Sequence, residues 1–149
     1  MRQRRFFGRM LPVATLRGSE RKYSMAASES VTKPVVLVVE DEWLVRFHAV
    51  DMIEEAGFVA LEASNADEAV AILEARDDVR VMFTDIDMPG SMDGLKLARA
   101  VHNRWPPVKI IVTSGHRIVS VEDLPEGGTF FGKPYDVGEV TRTIRQLTA

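Results

Sequence analysis

The stretch VVLVVED at residues 35–41 is the first of four short apolar runs that end in polar side chains. The other three are VMFTD at residues 81–85, IIVTS at residues 110–114 and FFGK at residues 130–133. Branched and aromatic runs bounded by turn signals indicate strands that are buried on both faces. Because open α/β sheets hold their ligands at the carboxyl edge of parallel strands, these endings predict one polar site at that edge.

The remainder of the chain alternates between strand and helix patterns. Strands are predicted at residues 35–39, 58–61, 79–84, 108–113 and 129–132. Helices are predicted at residues 44–56, 66–76 and 94–104 and after Asp136, whereas residues 118–124 permit at most a short helix. Five strands and about five helices predict an α/β fold, a doubly wound (βα)5 parallel sheet. The expected strand order is flavodoxin-like, 2-1-3-4-5, and the fourth helix is expected to be short or irregular.

Particular residues predict where the helices begin, end and pack. Asn65 and Asp136 are candidate N-caps, and Gly57 is typical of the position that follows a helix C-terminus. Apolar residues at helical spacing predict the first and last helices, and those of the last helix are expected to face inward. These residues are Leu44, Phe47, Val50 and Ile53 in the first helix, and Val137, Val140, Ile144 and Leu147 in the last.

The composition excludes several classes of protein. The 149 residues are enough for one domain with a core, and no apolar segment is long enough to span a membrane. The absence of cysteine from the sequence excludes disulfides, thiolate catalysis and cysteine-bound zinc, and it fits a cytoplasmic location. Residues 25–149 hold 12 basic and 21 acidic residues, a net charge of −9, which disfavours nucleic-acid binding by this part.

The N-terminal segment differs in charge from the sequence that follows it. Residues 1–24 carry seven Lys or Arg residues and one acid, without hydrophobic periodicity. Three interpretations stay open: a disordered tail, an arm that contacts nucleic acid or anionic lipid, or sequence that is no part of the natural product. We interpret residues 1–33 as a basic, disordered extension, with Met25 as an alternative start, and residues 34–149 as one domain.

The polar strand endings predict phosphoryl-transfer chemistry. Asp41 and Asp85 follow strands that are neighbours in the predicted sheet, where two carboxylates repel each other. Mg²⁺ resolves this repulsion, since it prefers one or two carboxylates with waters and a substrate phosphate. Asp85 is the candidate nucleophile, because carboxylates serve as covalent phosphoryl acceptors. Lys133 offers an ammonium group, and Ser114 a hydroxyl group, to the oxygens of the transferred group.

Four segments in this order resemble the receiver domain of response regulators in bacterial two-component signalling. They are VVLVVEDE at residues 35–42, FTDIDMPGSMDG at 83–94, VTSGH at 112–116 and FFGKPYD at 130–136. The resemblance covers about residues 34–148. It implies a stand-alone receiver of a phosphorelay, a phosphoprotein that accepts a phosphoryl group from a histidine kinase's phosphohistidine as an aspartyl phosphate.

The resemblance also implies which residues bind magnesium. Asp85 matches the phosphoacceptor, which is a metal ligand as well, and Asp41 matches a direct ligand of Mg²⁺. Asp87 matches the position whose backbone carbonyl binds the metal. Glu40 matches a second acid that acts from the outer sphere through water.

Three further matches concern the switch itself. Lys133 matches the lysine that contacts the phosphoryl group, and it precedes Pro134 with an expected cis peptide bond. Ser114, rather than Thr113, matches the switch hydroxyl that turns toward the phosphoryl oxygen. Phe130 matches the aromatic residue that moves inward with it.

The sequence departs from the family pattern in two loops. The loop after Asp85 is one residue longer than the usual form. The stretch from Ser114 to Lys133 is about three residues shorter than in well-known receivers and contains Pro125. The helix between the fourth and fifth strands must therefore be short or absent, although this region commonly serves dimerisation and output in the family.

Three functional classes follow from these patterns. The first is a signalling switch that assists its own phosphorylation and dephosphorylation but is not otherwise an enzyme. Its expected partners are a histidine kinase or histidine phosphotransferase and an unknown downstream protein, with dimerisation open and with no DNA-binding domain and no membrane contact. The second is a phosphatase of the haloacid-dehalogenase type that uses Asp85 and Asp87. The third is an interaction module that works without phosphorylation.

Overall fold

Residues 32–149 are the part of the chain that this computed structural model describes. The predicted extension at residues 1–33, with the alternative start at Met25, therefore lies outside the described residues except for Thr32 and Lys33. The described part contains five strands: β1 (Val35–Val39), β2 (Val59–Ala63), β3 (Val79–Asp85), β4 (Lys109–Ser114) and β5 (Thr129–Gly132). It also contains four α-helices: α1 (Trp43–Glu55), α2 (Ala66–Ala75), α3 (Gly94–Arg104) and α4 (Val137–Leu147).

The five strands form one parallel sheet in the order β2-β1-β3-β4-β5. This order confirms the predicted doubly wound α/β fold. Two core clusters lie on opposite faces of the sheet, because alternate residues of each strand face opposite ways. Leu37 belongs to one core, with Leu97 of α3 and the buried alanines of α2. Val38 belongs to the other core, with Ile53 of α1 and Ile144 of α4.

The register of the sheet aligns the carboxyl ends of its central strands. Val39 pairs with Thr84 between β1 and β3, and Asp85 pairs with Thr113 between β3 and β4. The next pair, between β4 and β5, joins Ser114 to Gly132. The residues that follow these pairs are consequently brought to one edge of the sheet.

Local capping explains where the helices start and stop. The side chain of Asn65 accepts a hydrogen bond from the Glu68 amide at 2.9 Å, and this confirms Asn65 as the N-cap of α2. Asp136 caps α4 in the same way. Gly57 follows α1 with a φ of 98°, a left-handed conformation that glycine adopts without a steric penalty.

The predicted inward face of α4 was wrong at Val137, and the apolar spacing of α1 does not coincide with its buried face. Leu44 and Phe47 are exposed, with 49% and 59% of their surface accessible, and Val137 is 54% exposed. The helix α1 instead buries Ala49 and Ile53, residues four apart whose small and branched side chains fit against the sheet. Val137 is the first residue of α4 and precedes the buried stripe that starts at position 140.

The connection between β4 and β5 contains a 3₁₀ turn at Val121–Asp123 instead of an α-helix. The Asp123 carboxylate accepts hydrogen bonds from the amide and the hydroxyl of Ser120, and this closes the turn. The expectation of a short or irregular helix is therefore confirmed, whereas the count of about five helices becomes four α-helices and one turn in residues 32–149. In the same range, no helix combines the length and the apolar character that crossing a membrane requires.

Gly94 is a packing constraint that the sequence patterns did not reveal. It begins α3 directly behind the end of β3, and its amide donates a hydrogen bond to the Ile86 carbonyl at 2.9 Å. A Cβ at this position would overlap the backbone carbonyl oxygen of Asp85. Only glycine permits α3 to approach the phosphoacceptor candidate this closely.

We therefore expect Gly94→Ala to lower the free energy of unfolding by about 2–3 kcal/mol, because the added methyl group must displace strand or helix backbone. Urea denaturation measures this change. Gly138→Ala in α4 is the matched control, since its Cβ would meet the movable carboxylate of Asp136 at 3.1 Å. Its effect should stay within about 1 kcal/mol. Equal stability of the two variants would contradict the proposed close approach.

Candidate functional site

A polar cleft of about 360 Å³ opens at the carboxyl edge of the sheet. It is formed where the ends of β1, β3 and β4 meet the loop after β5. Its lining residues are Glu40, Asp41, Glu42, Val45, Asp85, Asp87, Gly115, His116 and Lys133. The position agrees with the ligand-binding edge expected of an open parallel sheet.

Three carboxylates converge in this cleft. Glu40 and Asp41 directly follow β1, and Asp85 is the last residue of β3. One carboxylate oxygen from each residue lies within 4.8 Å of the others. The sequence prediction that strand pairing brings Asp41 and Asp85 together is thus realised, with Glu40 in the same cluster.

Lys133 lies among the acids and partly balances their charge. Its Nζ atom is 3.1 Å from Asp85 Oδ1 and 3.2 Å from Glu40 Oε1. The lysine reaches this place from the end of β5, where the peptide bond to Pro134 is cis, as expected. The predicted acids and the predicted lysine therefore share one cleft.

Burial dominates the ionisation of the two inner acids. It raises the pKa of Asp85 above its ordinary value, against the opposing charge of Lys133. Burial likewise raises the pKa of Glu40, and the neighbouring charge of Asp85 adds to this effect. Burial alone would lower the pKa of Lys133, but its ion pairs with Asp85 and Glu40 raise it instead. The cluster consequently carries more negative charge than one lysine stabilises.

One oxygen of Asp85 remains without a suitable hydrogen bond. Asp85 Oδ1 is buried and lies at ion-pair distance from Lys133, yet the angle is too poor for a hydrogen bond, so we regard the contact as electrostatic. A buried carboxylate oxygen normally has a hydrogen-bonding partner or a metal. Together with the oxygens of Glu40 and Asp41, it forms an all-oxygen donor set that fits a hard dication such as Mg²⁺.

Ser114 lies at the end of β4 but its hydroxyl is directed to Asp87. It donates to Asp87 Oδ2 at 2.8 Å and accepts hydrogen bonds from the amides of His116 and Arg117, both at 3.1 Å. Within residues 32–149, Ser114 makes no hydrogen bond to Asp85. The structure therefore brings the predicted switch hydroxyl to the rim of the site without joining it to the candidate nucleophile.

Two other candidates from the sequence occupy supporting positions. Thr113 is 1% exposed and pairs through the backbone with Asp85, while its carbonyl accepts the Ile86 amide at 2.9 Å. Phe130 of β5 is partly buried and packs against the core that contains α2 and α3. Neither side chain belongs to the lining of the cleft.

Sequence reasoning missed the residues that position the acidic loop. Arg46 of α1 donates to the Glu40 carbonyl at 2.7 Å and to Glu62 of β2 at 3.1 Å. Arg117 donates to Asp87 at 3.2 Å, and Asp93 caps α3. The cap at Asp93 was recognisable from its place before a helix, but the arginine contacts join separate elements and have no local signal in the sequence.

Comparisons with known proteins match residues 36–145 to the response regulator receiver domain. The chain is 30% identical over 138 residues to the sensor kinase CckA of Brucella abortus, covering 90% of this chain and 14% of that protein. It is 28% identical to the response regulator receiver protein CpdR of Brucella abortus, covering 75% of this chain and 94% of CpdR. The receiver domain structure of the hybrid histidine kinase CckA superposes with a TM-score of 0.65 at 28% identity, over 77% of this chain and 99% of that one.

The charge balance of the cleft predicts an unusual dependence of the unfolding free energy on pH. The pKa values of Asp85 and Glu40 are raised above their ordinary values of 3.8 and 4.5. The native state therefore binds more protons than the unfolded chain above these values, so the unfolding free energy should fall as pH rises through the raised pKa values. In EDTA, Asp85→Asn should be more stable than the wild type at pH 7 and less dependent on pH.

Urea unfolding between pH 4 and pH 8 tests this expectation. Asp78→Asn is the matched control, because hydrogen bonds from Arg76 lower the pKa of this exposed acid. Asp78→Asn should therefore not stabilise the protein at pH 7. An Asp85→Asn variant less stable than the wild type at pH 7 would contradict the prediction. It would mean that Lys133 stabilises the Asp85 charge by more than its burial costs.

Proposed function

The chain belongs to the response regulator receiver domain family, and we propose that Asp85 is the residue on which it accepts a phosphoryl group. Receiver domains are signalling switches of two-component systems. The observation that carries the proposal is the position of Asp85, at the base of an acidic cleft and 3.1 Å from the ammonium group of Lys133. A carboxylate in such a place is both accessible to a donor and surrounded by groups that handle phosphoryl charge.

The transfer proceeds by attack of an Asp85 carboxylate oxygen on the phosphorus of a phosphohistidine. A phosphorus–oxygen bond forms, the phosphorus–nitrogen bond breaks, and the imidazole of the donor leaves with the bonding electrons and takes up a proton. Lys133 stabilises negative charge on the phosphoryl oxygens. It already lies beside Asp85 and need only share its donors with the new group.

Receiver domains bind Mg²⁺ at an acidic pocket, and this chain has the corresponding cluster. We assign Asp41, Asp85 and the backbone carbonyl of Asp87 as direct ligands, and Glu40 as an outer-sphere group that acts through water. When bound, Mg²⁺ supplies positive charge that offsets the repulsion between these carboxylates and the incoming phosphoryl oxygens. The side chain of Asp87 stays free for its contacts with Ser114 and Arg117.

Phosphorylation changes the preferred partner of Ser114. The hydroxyl leaves Asp87 and donates to a phosphoryl oxygen on Asp85, and Phe130 follows it inward. These movements shift a pre-existing equilibrium between two conformations, which a protein partner reads. Beyond its own phosphorylation and dephosphorylation, we propose no catalytic activity.

The partners are proposed at the level of their class. The donor is a histidine kinase or a histidine phosphotransferase, and the output is contact with a downstream protein. The chain spans 14% to 25% of the length of the first three curated relatives that it matches. Whole-protein roles are therefore not carried over from them. A basic extension at residues 1–33, a receiver domain at residues 34–149 and a cytoplasmic location remain predictions.

The two alternative functions have weaker support. A phosphatase of the haloacid-dehalogenase type needs Asp87 as a free acid, but Ser114 and Arg117 both donate to its carboxylate. An interaction module that works without phosphorylation needs no buried carboxylate paired with a lysine. The cleft has both the buried carboxylate and the lysine, so a phosphorylation switch explains these residues better.

Intact-mass spectrometry after incubation with acetyl phosphate tests the phosphoacceptor. We expect one phosphoryl adduct on the wild type in the presence of Mg²⁺, little in EDTA, and none on Asp85→Asn. Asp51→Asn, which removes an exposed acid of α1, should be phosphorylated like the wild type.

Three outcomes would contradict the proposal. An adduct of equal size on Asp85→Asn would place the phosphoryl group elsewhere. Continued turnover of acetyl phosphate that depends equally on Asp85 and Asp87 would favour the phosphatase. No adduct on any variant, with or without Mg²⁺, would favour the interaction module.

Trp43 fluorescence provides a separate test of metal binding, since this exposed residue lies two positions after Asp41. Mg²⁺ titration should change the emission of the wild type, and Asp41→Asn should weaken the affinity about tenfold or more, equivalent to at least ~1.4 kcal/mol. Trp43→Phe controls for Trp105, whose emission should not respond. An unaltered titration curve for Asp41→Asn would remove this residue from the ligand set.

A further inference from the structure

Arg117 connects two loops and the start of α3 at the rim of the cleft. Its Nε atom donates to Asp87 Oδ1 at 3.2 Å, and a terminal nitrogen donates to Asp93 Oδ2 at 3.4 Å. Asp93 is itself held in place, because its other oxygen accepts the Lys96 amide at 3.0 Å as the N-cap of α3. The guanidinium group thus joins the loop after β4 to the loop after β3 and to the start of α3.

The same carboxylate of Asp87 holds the hydroxyl of Ser114. Each of its two oxygens has a different partner, Arg117 on Oδ1 and Ser114 on Oδ2. The Ser114 oxygen also accepts two backbone amides, so its only proton is directed to Asp87. Ser114 is 2% exposed, and water cannot readily replace the partner that it would lose on turning away.

We propose that Arg117 is a positioning residue that acts through Asp87 and holds the Ser114 hydroxyl away from Asp85 until phosphorylation. This inference rests on the proposed function of Asp85. Arg117 orients the Asp87 carboxylate by donating to Oδ1, which leaves Oδ2 directed at the serine hydroxyl. The arginine thereby biases the protein toward the unphosphorylated conformation and sets how tightly a phosphoryl group must bind to switch it.

Two simpler roles for Arg117 make different predictions. As an exposed ion pair, it could merely tether a surface loop, and its loss would then change little. As a cation at the rim, it could attract the phosphoryl group directly, and its loss would then weaken binding. The proposed role predicts instead that loss of Arg117 strengthens binding of the phosphoryl group, since releasing Ser114 makes the activated conformation easier to reach. It also requires that the effect depend on Ser114.

The first experiment measures the affinity for beryllofluoride, a phosphoryl mimic, at saturating Mg²⁺ by Trp43 fluorescence. Arg117→Gln should bind it roughly fivefold more tightly than the wild type. Arg117→Lys should lie between the two, because one ammonium group can pair with Asp87 but does not bridge to Asp93. Arg104→Gln is the matched control, since Arg104 pairs with Glu74 at 2.9 Å and should have no effect.

The second experiment adds Arg117→Gln to a Ser114→Ala protein and compares the double variant with Ser114→Ala alone. The effect of Arg117→Gln should disappear there, because the arginine acts only through the serine hydroxyl. A tighter affinity that persists without Ser114 would overturn the proposal, as would weaker binding of beryllofluoride by Arg117→Gln in the wild-type background. Unchanged affinity in a protein whose wild type binds the mimic would also overturn it.

Hydrogen exchange in the unphosphorylated protein supplies a readout that does not depend on phosphoryl chemistry. The amides of His116 and Arg117 donate to Ser114, so Arg117→Gln should accelerate their exchange while β4 and β5 keep wild-type protection. Faster exchange throughout both strands would indicate a merely structural role and overturn the proposal. A wild type that neither binds beryllofluoride nor accepts phosphate would instead refute the proposed function, and the switch role of Arg117 with it.

Discussion

The burial of two carboxylates at the ends of adjacent strands is the constraint on which the rest of the site depends. Glu40 and Asp85 are each 6% exposed, and only the ammonium group of Lys133 lies between them among the described residues. A third carboxylate, that of Asp41, joins the cluster. Because desolvation outweighs the attraction of one lysine, the pKa values of both carboxyl groups are raised, and the cluster holds more negative charge than Lys133 offsets. This excess of negative charge favours the binding of a dication, whose charge would in turn offset the repulsion of an incoming phosphoryl group.

The fold keeps these charges together by making their backbone rigid. β1 and β3 are buried in the sheet centre, and their register leaves the acids little freedom to separate. Arg46 ties the carbonyl of Glu40 to β2 through Glu62, and Gly94 lets α3 begin against the carbonyl of Asp85. A rigid acid cluster cannot relieve its repulsion by moving apart, so it must bind a cation or a proton.

The rim of the cleft is built differently from its base. Ser114, Asp87 and Arg117 contact one another through side-chain hydrogen bonds that span loops, and the connection after β4 contains only a 3₁₀ turn. Hydrogen bonds of this kind can be exchanged for others of similar strength at small net cost in free energy. A rigid base and an exchangeable rim together suit a switch, because phosphorylation alters the rim while the base stays in register.

The sequence by itself determined the sheet, its strand order, the caps at Asn65 and Asp136, and which polar residues stand at the strand ends. These features depend on local hydrophobic periodicity and on topological rules, which act over a few residues or on whole elements. Sequence reasoning failed for Val137, because apolar spacing does not reveal which side of a helix meets the sheet. Only the tertiary structure decided that Ser114 bonds Asp87, 27 residues away, rather than the nucleophile. Such contacts arise from side chains that meet across separate loops, and no local pattern encodes their geometry.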